Sequence, residues 1–335
     1  MSVSSPSPSP VFEAITEPLR FAFDELEAFL EEQVRFFEPE VRSLVRYCFG
    51  HSGKKLRPLL VFSAAGGGVA ARKAEITKAA AIVELVHLAT LVHDDILDEA
   101  TVRHRTETVA ARHGSHIAVL LGDALFSHAL HLASGFDSVE VCRVVSKATR
   151  QVCSGEIVQT FSRQAAIPDR HGYFRIIDLK TAELFRVSTY LGGLLTQLDT
   201  EQLEALVNYA THLGRAYQIY DDMADIFGRE AQAGKTLGTD LATGKATLPV
   251  ILWLEGLPEA DRPRAVSGIW ETVGSTDFTA VLADAGIPGR VHALFLAEIL
   301  AARGHLAALA ARPADDPLER LLHFLEAAWN KFSVT

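Results

Sequence analysis

Two short acidic runs carry the clearest chemistry in the chain: DDILD at 94–98 and DDMAD at 221–225. On an α-helix, residues four apart share a face, so Asp94 and Asp98 project together with Asp95 alongside. Asp221, Asp222 and Asp225 repeat that arrangement. Like charges at this spacing destabilise a helix, so a compensating cation is required. Mg2+ meets the need, because it is hard, takes oxygen ligands, and is commonly held by one or two carboxylates together with substrate phosphates. A single DDxxD reads better as a solvated acidic turn. Here both copies follow strongly apolar sequence, ELVHLATLVH and LGRAYQIY, which places each in a partly buried helix and favours metal ligation.

Carboxylates that hold metals that hold phosphates call for cationic groups nearby. GKKLRP (53–58), VRHR (102–105), Lys180 in KTAEL, Lys235 in GKTLGTD and Lys245 in TGKATLP supply them. Each alone is most simply a surface residue. Together, several fall in glycine-bearing breaks, where backbone N–H groups and side chains converge on an anion. His87 lies seven residues before Asp94, two turns down the same stripe, and is open to both a core reading and a ligand reading. The pairs His113/His116 and His128/His131 have no cysteine or acidic third partner close in sequence, which leaves a zinc site unsupported.

The elements that must position these groups are helical. No proline occurs between Pro58 and Pro168, and Ala, Leu, Glu, Gln and Arg dominate that stretch. Alternating segments of period two are scarce, so the fold is expected to be all-α. Composition does not shift across any break, which predicts one helical domain over 11–335 behind a flexible Ser/Pro tail, residues 1–10. The 335 residues are 48% hydrophobic and 22% charged, a globular balance, and a net charge of -10 excludes a non-specific nucleic-acid binder. Cys48, Cys142 and Cys153 make neither a disulfide framework nor a CxxC pair, as suits a reducing compartment. No stretch reads as apolar for the ~20 residues that cross a bilayer. The first residues lack the basic and apolar regions of a secretory signal, so a cytoplasmic location is expected.

The segments GKKLRP, ELVHLATLVHDDILD, GDALF, GEIVQ, KTAEL, YQIYDDMAD and GKTLGTDLATGKATLP run in that order over residues 50 to 250. They resemble the trans-prenyl diphosphate synthases, also called polyprenyl synthetases. The resemblance implies the all-α isoprenoid synthase fold, with long antiparallel helices around a central cavity, usually as a homodimer. It implies condensation of isopentenyl diphosphate with an allylic diphosphate primer. Asp94, Asp95, Asp98, Asp221, Asp222 and Asp225 are then expected to bind three Mg2+. Lys54, Arg57 and His87 match the grip on isopentenyl diphosphate. Arg103, Lys180, Thr181, Gln218, Lys235 and Lys245 match the allylic-diphosphate side, with Lys180, Thr181 and Gln218 also steadying the allylic cation. The family's second arginine after the first motif is replaced by His104, which leaves that isopentenyl diphosphate contact to His104 or Arg105. A class I terpene cyclase shares the first motif but usually not the second, and an inactive helical regulatory subunit needs neither.

Product length is implied by the same resemblance. In the family, bulky aromatics at the positions of Ala89 and Thr90 stop growth at C15, and that floor is missing here. The next residues on the stripe are Val86, Val83 and Ile82, the last about 18 Å along the axis from Asp94. A product of C20 or longer is implied, with C25 to C40 preferred over C15.

Overall fold

The computed structural model describes residues 10–50, 53–103, 106–163, 167–228, 238–271, 276–309, 315–330 and 332. Residues 1–9 of the tail, His104, Arg105 and Lys235 lie outside them. The chain begins with α1 (Pro10–Thr16), α2 (Arg20–Gln33), α3 (Arg42–Gly50), α4 (Leu56–Ala65), α5 (Gly68–Ala71) and α6 (Lys73–Leu97). A small antiparallel hairpin follows, β1 (Val102–Arg103) on β2 (Thr106–Glu107). Next come α7 (Val109–His113), α8 (Ser115–Ser134), α9 (Val139–Phe161), α10 (Arg170–Ile177), a π turn (Asp178–Ala182), α11 (Glu183–Leu195) and α12 (Thr200–Phe227). The last stretch holds α13 (Thr239–Ala242), α14 (Leu248–Gly256), α15 (Arg262–Glu271), α16 (Thr276–Asp284), α17 (Ile287–Ala307) and α18 (Pro317–Trp329). The all-α expectation holds, at 81% helix. The hairpin was not anticipated; it is the device that turns Arg103 back toward the end of α6.

Local chemistry fixes several helix starts. Asp199 and Gln202 form a reciprocal capping box at α12, in which Asp199 Oδ1 accepts from the Gln202 amide at 2.8 Å and the Gln202 side chain accepts from the Asp199 amide at 3.1 Å. Asp169 and Asp316 cap α10 and α18 by the same kind of bond. Lys55, just before α4, sits at φ +50°, a left-handed conformation that costs a non-glycine residue energy. That strained residue falls inside GKKLRP, two before Arg57.

Two long helices carry the acidic motifs. α6 packs on α4, α8 and α11, and α12 packs on α11 and α17. The chain returns from α11 to α12 through a short connection, as in antiparallel helical neighbours. The core is apolar and continuous, with Phe62, Ile82, Leu85, Leu125, Phe185 and Phe295 fully buried. The reading that no stretch is long and apolar enough to cross a bilayer needs correcting. α6 and α8 both qualify by length and composition, with a mean hydropathy of 1.4 over their best windows. In α6, 72% of that window is buried inside the fold, where its apolar surface is used for packing; in α8 only 33% is.

Candidate active site

The first acidic motif closes α6. Asp94 is half-buried, Asp95 is buried, and Asp98 is the residue that caps the helix C-terminus. A carboxylate at the negative end of a helix needs external cations, and the fold brings them from distant segments. Arg163, just past α9, donates to Asp98 Oδ1 at 2.8 Å and to the Leu97 carbonyl at 2.8 Å. Lys245 donates to Asp98 Oδ2 at 2.7 Å. Lys180 lies 3.5 Å from Asp94 Oδ2 and donates to Gln159 Oε1 at 3.0 Å, with Glu156 as its ion-pair partner. Arg103, returned by the hairpin, donates to Asp95 Oδ1 at 2.6 Å.

The second motif occupies the last turns of α12. Asp222 is buried, and its oxygens accept from Tyr173 Oη at 2.7 Å, Gln218 Nε2 at 2.9 Å and the Leu248 amide at 3.3 Å. Gln218 also accepts from Thr181 Oγ1 at 2.7 Å. Asp225 Oδ2 accepts from the Asp240 amide at 3.2 Å. The two motifs, more than a hundred residues apart in sequence, are linked through Lys245 and Asp240: Lys245 Nζ contacts Asp98 of the first and lies 3.8 Å from Asp240 Oδ1, and the Asp240 amide donates to Asp225 of the second.

The polyprenyl synthetase family model matches residues 38–270. The chain belongs to the polyprenyl synthetase family. It is an enzyme of prenyl-group transfer. It is 33% identical over 220 residues to the octaprenyl diphosphate synthase of Escherichia coli, covering 65% of this chain and 68% of that one. Its fold superposes on a decaprenyl diphosphate synthase from Rhodobacter capsulatus with a TM-score of 0.83 at 28% identity, covering 94% of this chain and 98% of that one. A polyprenyl synthase from Caulobacter crescentus, whose structure holds calcium and isoprenyl diphosphate, gives a TM-score of 0.84 at 27% identity over 96% of this chain and 98% of that one.

The electrostatics of this polyprenyl synthetase site follow from burial set against charge. Burial alone would raise the Asp98 carboxyl, but Lys245, Lys180 and Arg163 outweigh it and hold the group below its ordinary value. Burial would lower Lys180; the charges of Asp94, Glu156 and Asp98 overcome it and raise the group. Asp95 is pushed up by burial, against the opposing pull of Arg103. Asp222 is pushed up to about 7, first by burial and then by the charge of Asp240, with the Tyr173 and Gln218 hydrogen bonds working the other way. The Arg57 guanidinium is lowered by burial, while Tyr217, Glu84 and Asp94 act in the opposite direction.

Among the described residues, no three His, Cys, Asp or Glu side chains converge into a ready-made metal cage. The donor set fits a hard cation such as Mg2+, which is commonly held by one or two carboxylates plus substrate phosphates: hard carboxylate oxygens on two helices, flanked by lysines able to share a diphosphate. Within that set Asp95, Asp222 and Asp225 are buried, and protein donors lie on the oxygens of Asp95, Asp98, Asp222 and Asp225.

Most expected residues come together. Lys180, Thr181, Gln218, Arg103 and Lys245 all contact the acidic motifs or each other. Arg57 is set apart, its guanidinium 5.4 Å from the centre of the Phe185 ring. Beside it lies a small apolar pocket lined by Leu56, Leu60, Phe185, Leu213, Tyr217 and Phe324. Lys54 is exposed, with its ammonium 5.0 Å from the Phe324 ring and 6.0 Å from the Phe12 ring. His87 is half-buried on α6 and its carbonyl accepts from Thr90 Oγ1 at 2.7 Å. Ala89, Val86, Val83 and Ile82 are all buried on α6. Sequence reasoning missed Glu156, Gln159, Arg163, Tyr173 and Asp240. GEIVQ marked the region of the first two and GKTLGTD contains Asp240, while nothing local marked Arg163 or Tyr173.

Proposed function

We propose that this enzyme condenses isopentenyl diphosphate with an allylic diphosphate, using Mg2+, to make an all-trans polyprenyl diphosphate of C20 or longer. The observation that carries the reading is the link from Asp98 through Lys245 and Asp240 to Asp225, which brings the two acidic motifs together beside a cationic group a diphosphate needs. Asp94, Asp95, Asp98, Asp221, Asp222 and Asp225 would hold the metal, three ions being expected from the family resemblance. Arg103 and Tyr173, which donate to Asp95 and Asp222, would orient those two carboxylates. The bound metal supplies positive charge to the diphosphate oxygens as the allylic C–O bond breaks. Lys180 and Lys245 would add fixed charge where the leaving group develops its own, so that little reorganisation is needed during the reaction. Thr181 and Gln218, locked to each other, would steady the allylic cation.

Arg57 and His87 are proposed for isopentenyl diphosphate, with Lys54 reaching it only after leaving its aromatic seat. His104 and Lys235 are proposed for the isopentenyl and allylic diphosphates respectively, on the family resemblance alone. The double bond of isopentenyl diphosphate attacks the cation, and a proton then leaves to the released diphosphate. Long products are supported by the small residues Ala89 and Val86 on α6 and by the similarity to octaprenyl and decaprenyl synthases. A homodimer is supported by the exposed apolar residues Ile117, Val119 and Leu120 on α8.

The test is to incubate purified protein and Mg2+ with isopentenyl diphosphate and C5, C10, C15 or C20 primers, then size the products. Chains of C20 or more are expected. Arrest at C15 would contradict the length assignment, and no condensation with any primer would contradict the reaction.

A further inference from the structure

The segment that carries Lys180 and Thr181 is a π turn, Asp178–Ala182, set between α10 and α11. Its sequence, DLKTA, contains neither glycine nor proline, so nothing in the chain itself demands the wider turn. π turns are rare and need support from their surroundings. That support comes from both flanking helices. On α9, Gly155 approaches so closely that a Cβ there would lie 2.8 Å from Leu179 Cβ and 2.9 Å from the Lys180 amide nitrogen. On α12, a Cβ at Gly214 would lie 2.7 Å from Ala182 Cα. The turn is gripped at two points where only glycine fits.

Asp178, the first residue of the turn, is held at both its polar groups. Arg215 of α12 donates from Nε and Nη2 to the two carboxylate oxygens, each at 2.7 Å. Arg186 of α11 donates to the Asp178 carbonyl at 2.8 Å. Arg215 is itself fixed: its guanidinium lies 5.5 Å from the Phe174 ring centre and 3.9 Å from Glu298 of α17, whose carboxylate pairs with His212 Nδ1 at 2.6 Å. One turn further along α12, Gln218 takes the Thr181 hydroxyl. α12 therefore holds the π turn twice, by a charged fork at Asp178 and by a polar bond at Thr181.

We infer that Asp178 and Arg215 are positioning residues for prenyl transfer, holding the π turn in the register that presents Lys180 and Thr181 to the allylic diphosphate. The inference rests on the proposed placement of Lys180 and Thr181 in the allylic site. A bidentate fork fixes distance and angle together, which a lysine in place of Arg215 does not. If the turn relaxes to regular helix it loses one residue from the ring. The side chains beyond it then rotate by about 100°, the step per residue of an α-helix. Lys180 would leave Asp94 and Glu156, and Thr181 would leave Gln218. A displacement of even about 1 Å at reacting groups can lower a rate about a hundredfold.

Three variants test this: Arg215→Met, Arg215→Lys and Asp178→Asn, the last keeping the shape of the side chain. Single-turnover condensation is measured as a function of isopentenyl diphosphate. Thermal unfolding is recorded, and amide hydrogen exchange is followed over 178–186 without metal or substrate. All three variants should show faster exchange at the π turn, with α9 and the first half of α12 still protected. Their maximal rates should fall about ten- to a hundredfold. The half-saturating isopentenyl diphosphate concentration should move by less than about twofold, since Arg57 and His87 sit on other helices. Rates within about twofold of wild type, unchanged exchange at the turn, or a rate loss equal to the unfolded fraction would overturn the assignment. Full recovery in Arg215→Lys would overturn the requirement for a fork. Wild-type protein unable to condense its substrates would instead overturn the proposed function.

Discussion

Lys245→Met separates two roles that a single lysine plays in this site. The side chain is 9% exposed and its ammonium donates to Asp98 Oδ2 at 2.7 Å. Methionine keeps a stem of similar volume and removes only the charge. Asp98 does not become an orphan, because Arg163 still donates to Oδ1 at 2.8 Å. The stability loss should therefore be that of one charge-assisted hydrogen bond, about 1.5–3 kcal/mol. Stripping a fully buried pair costs more, about 3–5 kcal/mol. The melting temperature should fall by a few degrees, at about 2–4 °C per kcal/mol in larger domains.

Metal affinity and turnover should then move in opposite directions. In the metal-free protein Lys245 occupies an oxygen that a cation needs, so its removal should tighten Mg2+ binding. Release of the 1.5–3 kcal/mol contact sets an upper bound of about 10- to 100-fold. Turnover should fall about 10²–10³-fold, because a fixed charge on the leaving diphosphate is gone. Calorimetric Mg2+ titration without substrate reads the first effect, and single-turnover condensation in saturating Mg2+ reads the second. A variant that binds Mg2+ more weakly, or that keeps its rate within about threefold, refutes this view of the bridge.

Other expectations follow from individual contacts. Ala89→Phe places a ring on the buried stripe of α6, where overpacking costs about 1–3 kcal/mol. Product sizing should show a shift toward C15, and an unmoved distribution would remove α6 as the chain-length wall. Arg57→Ala should raise the Michaelis constant for isopentenyl diphosphate more than that for the primer, with equal rises counting against separate sites. Burial, reinforced by the charge of Asp95, pushes the Cys48 thiol up to about 12. At pH 8.5 iodoacetamide should therefore leave Cys48 untouched in the native protein and modify it only after unfolding. Labelling of native Cys48, read by peptide mass spectrometry, would contradict that burial.

Much of the site was legible because its chemistry is written at fixed spacing. Asp94 and Asp98 share a helix face at i, i+4, and the structure finds them at the end of α6 with cations around them. Spacing does not show that Arg103 returns to Asp95 through a hairpin of two-residue strands, or that Tyr173, 49 residues away, donates to Asp222. Helix periodicity placed α6 and α12 but could not mark the π turn, since DLKTA reads as ordinary helix and only packing against Gly155 and Gly214 explains it. Arg163 was hidden for a simpler reason. It is a lone charged residue just past α9, and only tertiary contact separates it from a solvated one.

The most direct measurement is condensation of isopentenyl diphosphate with an allylic primer in saturating Mg2+ by wild type, Asp94→Ala and Asp221→Ala, with helix content followed by far-ultraviolet circular dichroism. If the two motifs act as one metal and diphosphate site, wild type turns over only with the metal. Each variant then loses about a thousandfold or more in rate, as removing charge stabilisation at a leaving group does, with its helix content unchanged. Near-normal turnover by either variant, or full wild-type activity after chelation, would contradict it.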